Sequence, residues 1–232
     1  NAETVIEKSI KSIISQDYEN KEMIIIDGLS IDQTISKINS FKSEIDIFIS
    51  EKDLGVYDAM NKGLNLASGD FVIFMNAGDI FFSNNTISNV VNLITNKNAI
   101  YYGNAIYISE DNNMRYERGG AFDKFRLATT NICHQTIFYP KKVFKKEKYN
   151  IKYRLFADWE YNMRCFKNKI RFLHINEIIA FYDNTGISIT QKDLNFEREA
   201  KKIIFKNLGI LCVIYLGVRK YFKIIRINQL WK

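Results

Sequence analysis

The chain has 232 residues, 47% of them hydrophobic and 14% aromatic, which is enough for one large domain with a buried core and a smaller appendage. A single proline and 11 glycines argue against a disordered chain. The formal charge of +7 favours anionic partners such as nucleotide phosphates or anionic lipid.

The first half alternates helix and strand signals. Ile6, Ile10, Ile13 and Ile14 share a helical face, and Met23 to Ile26 is a short apolar run ending in Asp27-Gly28, as in a buried parallel strand that reaches a loop. Asp32 can cap a helix carrying Ile35 and Ile38, and Ile45 to Ile49 is a second strand. Gly55 precedes a helix from Tyr57 to Ala67, which stops at Ser68-Gly69. Phe71 to Met75 is the next buried strand, followed by Asn76-Ala77-Gly78-Asp79. A helix with Ile87, Val90, Val91 and Ile94 leads to a strand from Ile100 to Ile108. Glu110 to Arg118 is polar, a loop or a hairpin. Strand-like runs follow at Gln135 to Tyr139, Arg171 to His174 and Ile178 to Tyr182, with a helix from Trp159 to Phe166 between the first two. The pattern is helical from about Lys192. Alternating strands and helices predict an α/β fold with a mostly parallel central sheet flanked by helices.

Ligands in such sheets gather beyond the carboxyl ends of the strands. Asp27, Glu51, Asp53, Asn76 and Asp79 all fall there. On the helix after Gly55, Asp58, Asn61 and Lys62 stand on one face, able to hold sugar hydroxyls and a phosphate; a solvated helix face is the plainer explanation. Asp79 in a tight turn suits a hard cation, Mg²⁺ or Mn²⁺, that would bridge to diphosphate oxygens; one Asp and one Asn leave the remaining ligands to phosphate and water. Asp158 is either an ordinary helix cap or a general base for an acceptor hydroxyl, and Glu160 is the only other carboxylate near it. Of the two histidines, His134 is the better site candidate, and their spacing forms no zinc motif. Cys133, Cys165 and Cys212 form no C-x-x-C pair and read as reduced thiols of a cytosolic protein.

Taken in order, these stretches resemble the family 2 glycosyltransferases, which have the GT-A fold. Ser12-Ile13-Ile14-Ser15-Gln16-Asp17-Tyr18 is similar to that family's first helix and turn, and Ile25 to Thr34, with Asp27 and Ser30, to its nucleotide-reading loop. Asp53-Leu54-Gly55-Val56-Tyr57-Asp58-Ala59-Met60-Asn61-Lys62-Gly63, followed by Ala67-Ser68-Gly69-Asp70, is the most specific match and resembles a polysaccharide-building branch. Cys133-His134-Gln135, Ala157-Asp158-Trp159-Glu160 and Gly186-Ile187-Ser188 extend the likeness to about residue 190.

The resemblance implies a transferase that moves a sugar from a nucleotide-sugar donor to a glycan or lipid-linked acceptor. Asp158 would be the base of an inverting displacement, Asp27 would lie by the nucleotide base, and Asn76 and Asp79 would stand at the metal and ribose motif. His134, Gln135, Trp159 and Glu160 would face the acceptor. Gly28 replaces a second acid of the family pattern, and Asn76 and Gly78 stand where relatives often carry acids. The family's first strand is expected before Asn1, so the start is expected to be cut. A nucleotidyltransferase and a non-catalytic nucleotide- or glycan-binding subunit are the rival readings.

Residues 191–232 are expected to form an amphipathic helical extension to the 1–190 domain. From Ala200 to Lys232 there are eight Lys and Arg and no Asp or Glu. A basic amphipathic helix suits an anionic membrane surface, placing the protein in the cytoplasm, peripheral to the inner face of the membrane; packing on the domain or a subunit contact are the alternatives. The longest apolar run, Leu208 to Val218, is about half of the ~18–20 residues that span a bilayer. No motif supports a nucleic-acid partner.

Overall fold

The computed structural model describes residues 1–108, 115–183 and 191–229, so the Gly186 to Ser188 match lies outside the described residues. Helices α1 (Ile6–Ile14), α2 (Thr34–Asn39), α3 (Val56–Leu66) and α4 (Thr86–Leu93) interleave with strands β1 (Ile24–Asp27), β2 (Ile47–Ser50), β3 (Phe71–Val72) and β4 (Ile80–Phe81). Strands β5 (Ile100–Ile108) and β6 (Arg115–Arg118), helix α5 (Lys124–Thr129), strand β7 (Ile137–Pro140), helix α6 (Ala157–Lys167) and strand β8 (Phe172–Asp183) follow. Helices α7 (Leu194–Leu208) and α8 (Ile210–Gln229) end the described chain.

Strands β1 and β2 pair in parallel, Ile24 with Ile47 through Asp27 with Ser50, so both deliver polar residues to the same end. The larger sheet has the order β3-β7-β5-β8-β4, with β6 also on β5. In it β5 and β8 run parallel, while β7 is antiparallel to both β3 and β5, and β4 is antiparallel to β8. The α/β class therefore holds, but the sheet is mixed rather than mostly parallel. The physical reason lies in β7, whose four residues are all buried. A strand covered on both faces carries no polar alternation, and its apolar run reads the same in either direction.

The centre of the sheet is β5. Ile100 and Tyr102 belong to one apolar cluster and Tyr101 to another, the two-residue period of a strand sandwiched between two layers. Two expected strands, Arg171 to His174 and Ile178 to Tyr182, are a single β8 whose register against β5 slips around Asn104. Gly103 sits at that slip because a Cβ there would lie 2.5 Å from the Glu177 carbonyl oxygen. Of the strand expected over Phe71 to Met75, only Phe71–Val72 enters a ladder.

Helix α7 buries Phe196, Ile203, Ile204 and Leu208 in the same cluster as Tyr57, Tyr102, Tyr139 and Tyr161. Its first turn is capped by Asp193, whose carboxylate accepts from Phe196 N at 3.1 Å and from Leu155 N, just before α6, at 2.9 Å. Phe196 stacks on Trp159 with ring centres 5.2 Å apart. Replacing Phe196 by Ala removes this packing and should destabilise the whole protein by about 3–5 kcal/mol, measured by urea unfolding of the full chain. A change below about 1 kcal/mol would show α7 to be an energetically detached appendage.

Candidate active site

Two loops at the carboxyl ends of β1 and β2 form one side of the site. Asp27 is buried, and its Oδ2 accepts hydrogen bonds from Ser30 N at 2.9 Å and Ser50 Oγ at 2.7 Å. Burial pushes the Asp27 pKa up, but the hydrogen bonds from Ser30 and Ser50 together outweigh it and the net shift is downward. Leu29 adopts φ 62 in this turn, a left-handed conformation that a leucine takes only under constraint. Gly28, which looked like a departure from the family pattern, has a steric role. A Cβ at that position would sit 2.4 Å from Asp53 Oδ2, so any larger residue would push the Asp53 carboxylate out of its present position. Asp53 Oδ1 then accepts from Gly55 N at 2.8 Å, which sets the entry into α3.

Helix α3 carries the predicted trio, and the structure divides it. Asp58 Oδ2 accepts from Leu54 N at 3.0 Å and lies 3.7 Å from Lys62 Nζ, which also contacts Glu51 at 2.9 Å. These two stay at the rim, beside a shallow depression between Leu54 and Asp58 on one side and Ile151 and Arg154 on the other. Asn61 is turned elsewhere: its amide donates to Tyr149 O at 2.9 Å and accepts from Tyr149 N at 3.0 Å. Both ends of Asn61 are thus spent on bracing the 149 segment.

The second group lies across α3. The Asn76–Asp79 turn is closed by Asn76 N donating to Asp79 Oδ2 at 3.0 Å, and the same oxygen accepts from Gln135 Nε2 at 3.0 Å. Asn76 Nδ2 lies 3.0 Å from His134 Nε2. An Asn76 amide that donates to Nε2 leaves the ring proton on Nδ1, the nitrogen that faces Asp158 Oδ2 at 3.7 Å. Asn76, Asp79, His134, Gln135 and Asp158 are therefore one connected set.

Asp158 is the most enclosed member, 5% exposed. It does not cap α6, since the N-cap is Phe156. Its Oδ1 accepts from Tyr57 Oη at 2.7 Å and Trp159 N at 2.8 Å, and its Oδ2 from Asn131 Nδ2 at 2.7 Å. Burial raises its pKa above the ordinary carboxylate range, against the lowering effect of His134 and of those three donors. Neither Asn131 nor Tyr57 was singled out as a site residue from sequence. Tyr57 at least stands inside the most specific motif, whereas Asn131 carries no local signal.

Two predicted acceptor-side residues point away from this set. Trp159 donates its indole N–H to Leu127 O at 2.7 Å and packs on α7. Glu160 pairs with Arg164, Oε2 to Nε 2.9 Å, and Arg164 reaches on to Glu147 at 2.6 Å. The Glu160–Arg164 pair is largely buried within α6, and the exposed Glu147 end ties that helix to the 147 segment.

A metal has a limited set of ligands here. Among the described residues no three His, Cys, Asp or Glu side chains gather to hold an ion. The one carboxylate at the turn is Asp79, beside the Asn76 amide. This donor set fits a hard cation shared with diphosphate oxygens and water, and does not fit a cage made by protein alone.

The family model for glycosyl transferase family 2 matches residues 1–177. The chain belongs to glycosyl transferase family 2. A PGL/p-HBAD biosynthesis glycosyltransferase of Mycobacterium bovis is 36% identical over 97% of this chain and 89% of its own length. The Escherichia coli β-1,3-glucosyltransferase WfgD, named for UDP-Glc and α-D-GlcNAc-diphosphoundecaprenol, is 34% identical over 45% of this chain and 42% of its own. Among solved structures, Staphylococcus aureus TarS 1–349 with UDP superposes with a TM-score of 0.69 at 17% identity, covering 89% of this chain. This chain spans 62% of that TarS chain. The mannosyltransferase PcManGT of Pyrobaculum calidifontis, solved with GDP-Man and Mn²⁺, gives 0.60 at 14% identity over 94% of this chain and 61% of its own. The fold is thus GT-A, as the sequence resemblance implied, and the enzyme is a glycosyltransferase.

Asn61 offers a test of which motif residues hold the protein together. Asn61→Ala leaves both backbone groups of Tyr149 without their partner and should destabilise the fold by about 1–3 kcal/mol, read from urea unfolding. Lys62→Ala, at the rim, should move the unfolding midpoint much less.

Proposed function

We propose that this family 2 glycosyltransferase inverts configuration as it moves a sugar from a nucleotide-sugar donor to a hydroxyl of a cell-surface polysaccharide or glycolipid. One observation carries this reading: a buried, three-fold hydrogen-bonded Asp158 stands beside His134 and, through it, the Asn76–Asp79 turn. In the displacement, the acceptor oxygen bonds to the anomeric carbon as the bond from that carbon to the phosphate oxygen breaks. The nucleoside diphosphate leaves with the electron pair, and the acceptor proton passes to Asp158. A carboxylate with a raised pKa is the stronger base for that proton.

Asp27, Ser30 and Asp53 are assigned to the nucleoside, and Asp58 and Lys62 to the outer donor groups. Asn61 supports the loop opposite them. Gln135 orients Asp79, and His134 lies between the donor and acceptor halves. Trp159 and Glu160 brace the acceptor side from behind. A bound Mn²⁺ or Mg²⁺ would supply charge neutralisation for the leaving diphosphate, with Asp79 as its protein ligand and Asn76 beside it. TarS with UDP and PcManGT with GDP-Man and Mn²⁺ support a nucleotide-sugar donor and a divalent cation. The acceptor named for WfgD, and the biosynthesis named for the mycobacterial relative, support a lipid-linked or polysaccharide acceptor.

Such an acceptor calls for a membrane surface, and α8 is suited to one. Ile210, Leu211, Ile214, Val218 and Tyr221 are exposed along it, while Cys212 is buried against α5. The basic balance of residues 200–232 adds attraction to anionic headgroups. No helix among the described residues is long and apolar enough to cross a membrane. The enzyme then works in the cytoplasm, held peripherally at the inner face of the membrane, without nucleic acid.

Asp158→Asn should lower turnover by about two to four orders of magnitude and leave donor affinity intact by calorimetry; near-normal turnover removes Asp158 from the base role. Asp79→Ala should weaken donor binding in Mn²⁺ but not in chelator, and calorimetry showing equal affinities in Mn²⁺ refutes the ligand role. The full chain should sediment with phosphatidylglycerol vesicles and be released by high salt. Replacing Ile210, Leu211 and Ile214 by Ser should abolish this, and unchanged sedimentation counts against α8 as the contact.

A further inference from the structure

The hydrogen bonds around Asp158 differ in one respect that bears on proton transfer. Tyr139 Oη donates to Asn162 Oδ1 at 2.7 Å, Asn162 Nδ2 donates to Asn131 Oδ1 at 2.9 Å, and Asn131 Nδ2 donates to Asp158 Oδ2 at 2.7 Å. An amide has its donor and acceptor at opposite ends, so this chain can run in one direction only. Trp159 N, on Oδ1, is likewise a donor and nothing else. Tyr57 is different. Its hydroxyl lies 2.7 Å from Asp158 Oδ1 and 2.9 Å from the Leu155 carbonyl oxygen, and it has one hydrogen for these two acceptors.

We propose that Tyr57 is a positioning residue of the transfer, whose hydroxyl reverses its hydrogen bond to hold Asp158 in both of its protonation states. While Asp158 is ionised, Tyr57 donates to Oδ1. Once the acceptor proton is on Oδ1, the carboxyl donates to Tyr57 and the tyrosine hydrogen turns to Leu155 O. No proton passes between the two residues; the single tyrosine hydrogen serves Oδ1 in the ionised state and the Leu155 carbonyl in the protonated one. Burial, and then the Asp158 charge, hold the Tyr57 pKa far above its ordinary value, so the hydroxyl keeps its hydrogen throughout. The titratable groups facing Asp158 are Tyr57 from α3, His134 before β7, Tyr139 on β7 and Tyr149 before α6.

This inference rests on Asp158 being the base. Loss of the Tyr57 hydroxyl removes a partner from both forms, but the bond to the ionised carboxylate is charge-assisted and the stronger of the two, so the acid limb of the kcat/KM profile must move to higher pH. The test compares the pH profiles of the wild-type full chain, Tyr57→Phe, and a chain with 3-fluorotyrosine at position 57, a stronger donor. Tyr57→Phe should move the acid limb up by about one unit, a tenfold loss below it, with rates converging on the alkaline side. The fluorinated chain should move the limb down. An unmoved limb, or an equal loss at every pH, overturns the role and leaves Tyr57 as packing only. Where circular dichroism shows Tyr57→Phe to be unfolded, the fluorinated chain decides alone, and an unmoved limb again overturns it. Asp158→Asn separates the two claims. If that variant is inactive and the limbs do not move, only the Tyr57 inference falls; if it turns over normally, the base assignment falls and takes this one with it.

Discussion

A carboxylate removed from water must be held by donors or it will stay protonated, and Asp158 is such a group. Its three donors come from α3, from the segment after α5 and from the first turn of α6. None of them can be supplied locally except the Trp159 N–H. The rest of the site is arranged around meeting that requirement. The amide chain from Tyr139 through Asn162 and Asn131 links the carboxylate to β7 of the larger sheet. His134 approaches it from the other side and connects it to the Asn76 turn.

Helix α3 is the spine between the two halves. Its entry is set by Asp53 on Gly55, and the Asp53 carboxylate lies against Gly28, where a Cβ would displace it. One residue beyond Val56, Tyr57 reaches Asp158; one further, Asp58 returns to the rim. Successive helical positions point about 100° apart, so a single turn can serve both the Asp27 and Asp53 loops and the buried carboxylate. A movement of α3 would disturb both halves together, and Asn61 on the Tyr149 backbone resists it.

The C-terminal helices are coupled to the same region. Phe196 of α7 packs on Phe156 and Trp159, which flank Asp158 in sequence. Tyr215 of α8 packs on Phe125 of α5, which leads into the Asn131 and His134 segment. The exposed apolar edge of α8 thus belongs to an element seated against the proposed acceptor side. A contact made there with a lipid surface would bring the acceptor to the half of the site that has to receive it.

Much of this was legible in the chain. The order of strands and helices, the polar residues at strand ends, and the ordered motifs from Ser12 to Glu160 pointed to the GT-A fold and to a glycosyltransferase, because an apolar run followed by a turn depends on near neighbours alone. Only the tertiary structure decided the direction of β7, since a strand buried on both faces has no period to read. It also decided which motif residues serve the site. Asp58, Asn61 and Lys62 share a helical face by spacing, yet Asn61 meets the Tyr149 backbone. Trp159 and Glu160 adjoin Asp158 in sequence but turn to α7 and Arg164. Asn131 and Tyr57 reach the carboxylate from 27 and 101 residues away, and no local pattern records a hydrogen bond between groups that only folding brings together.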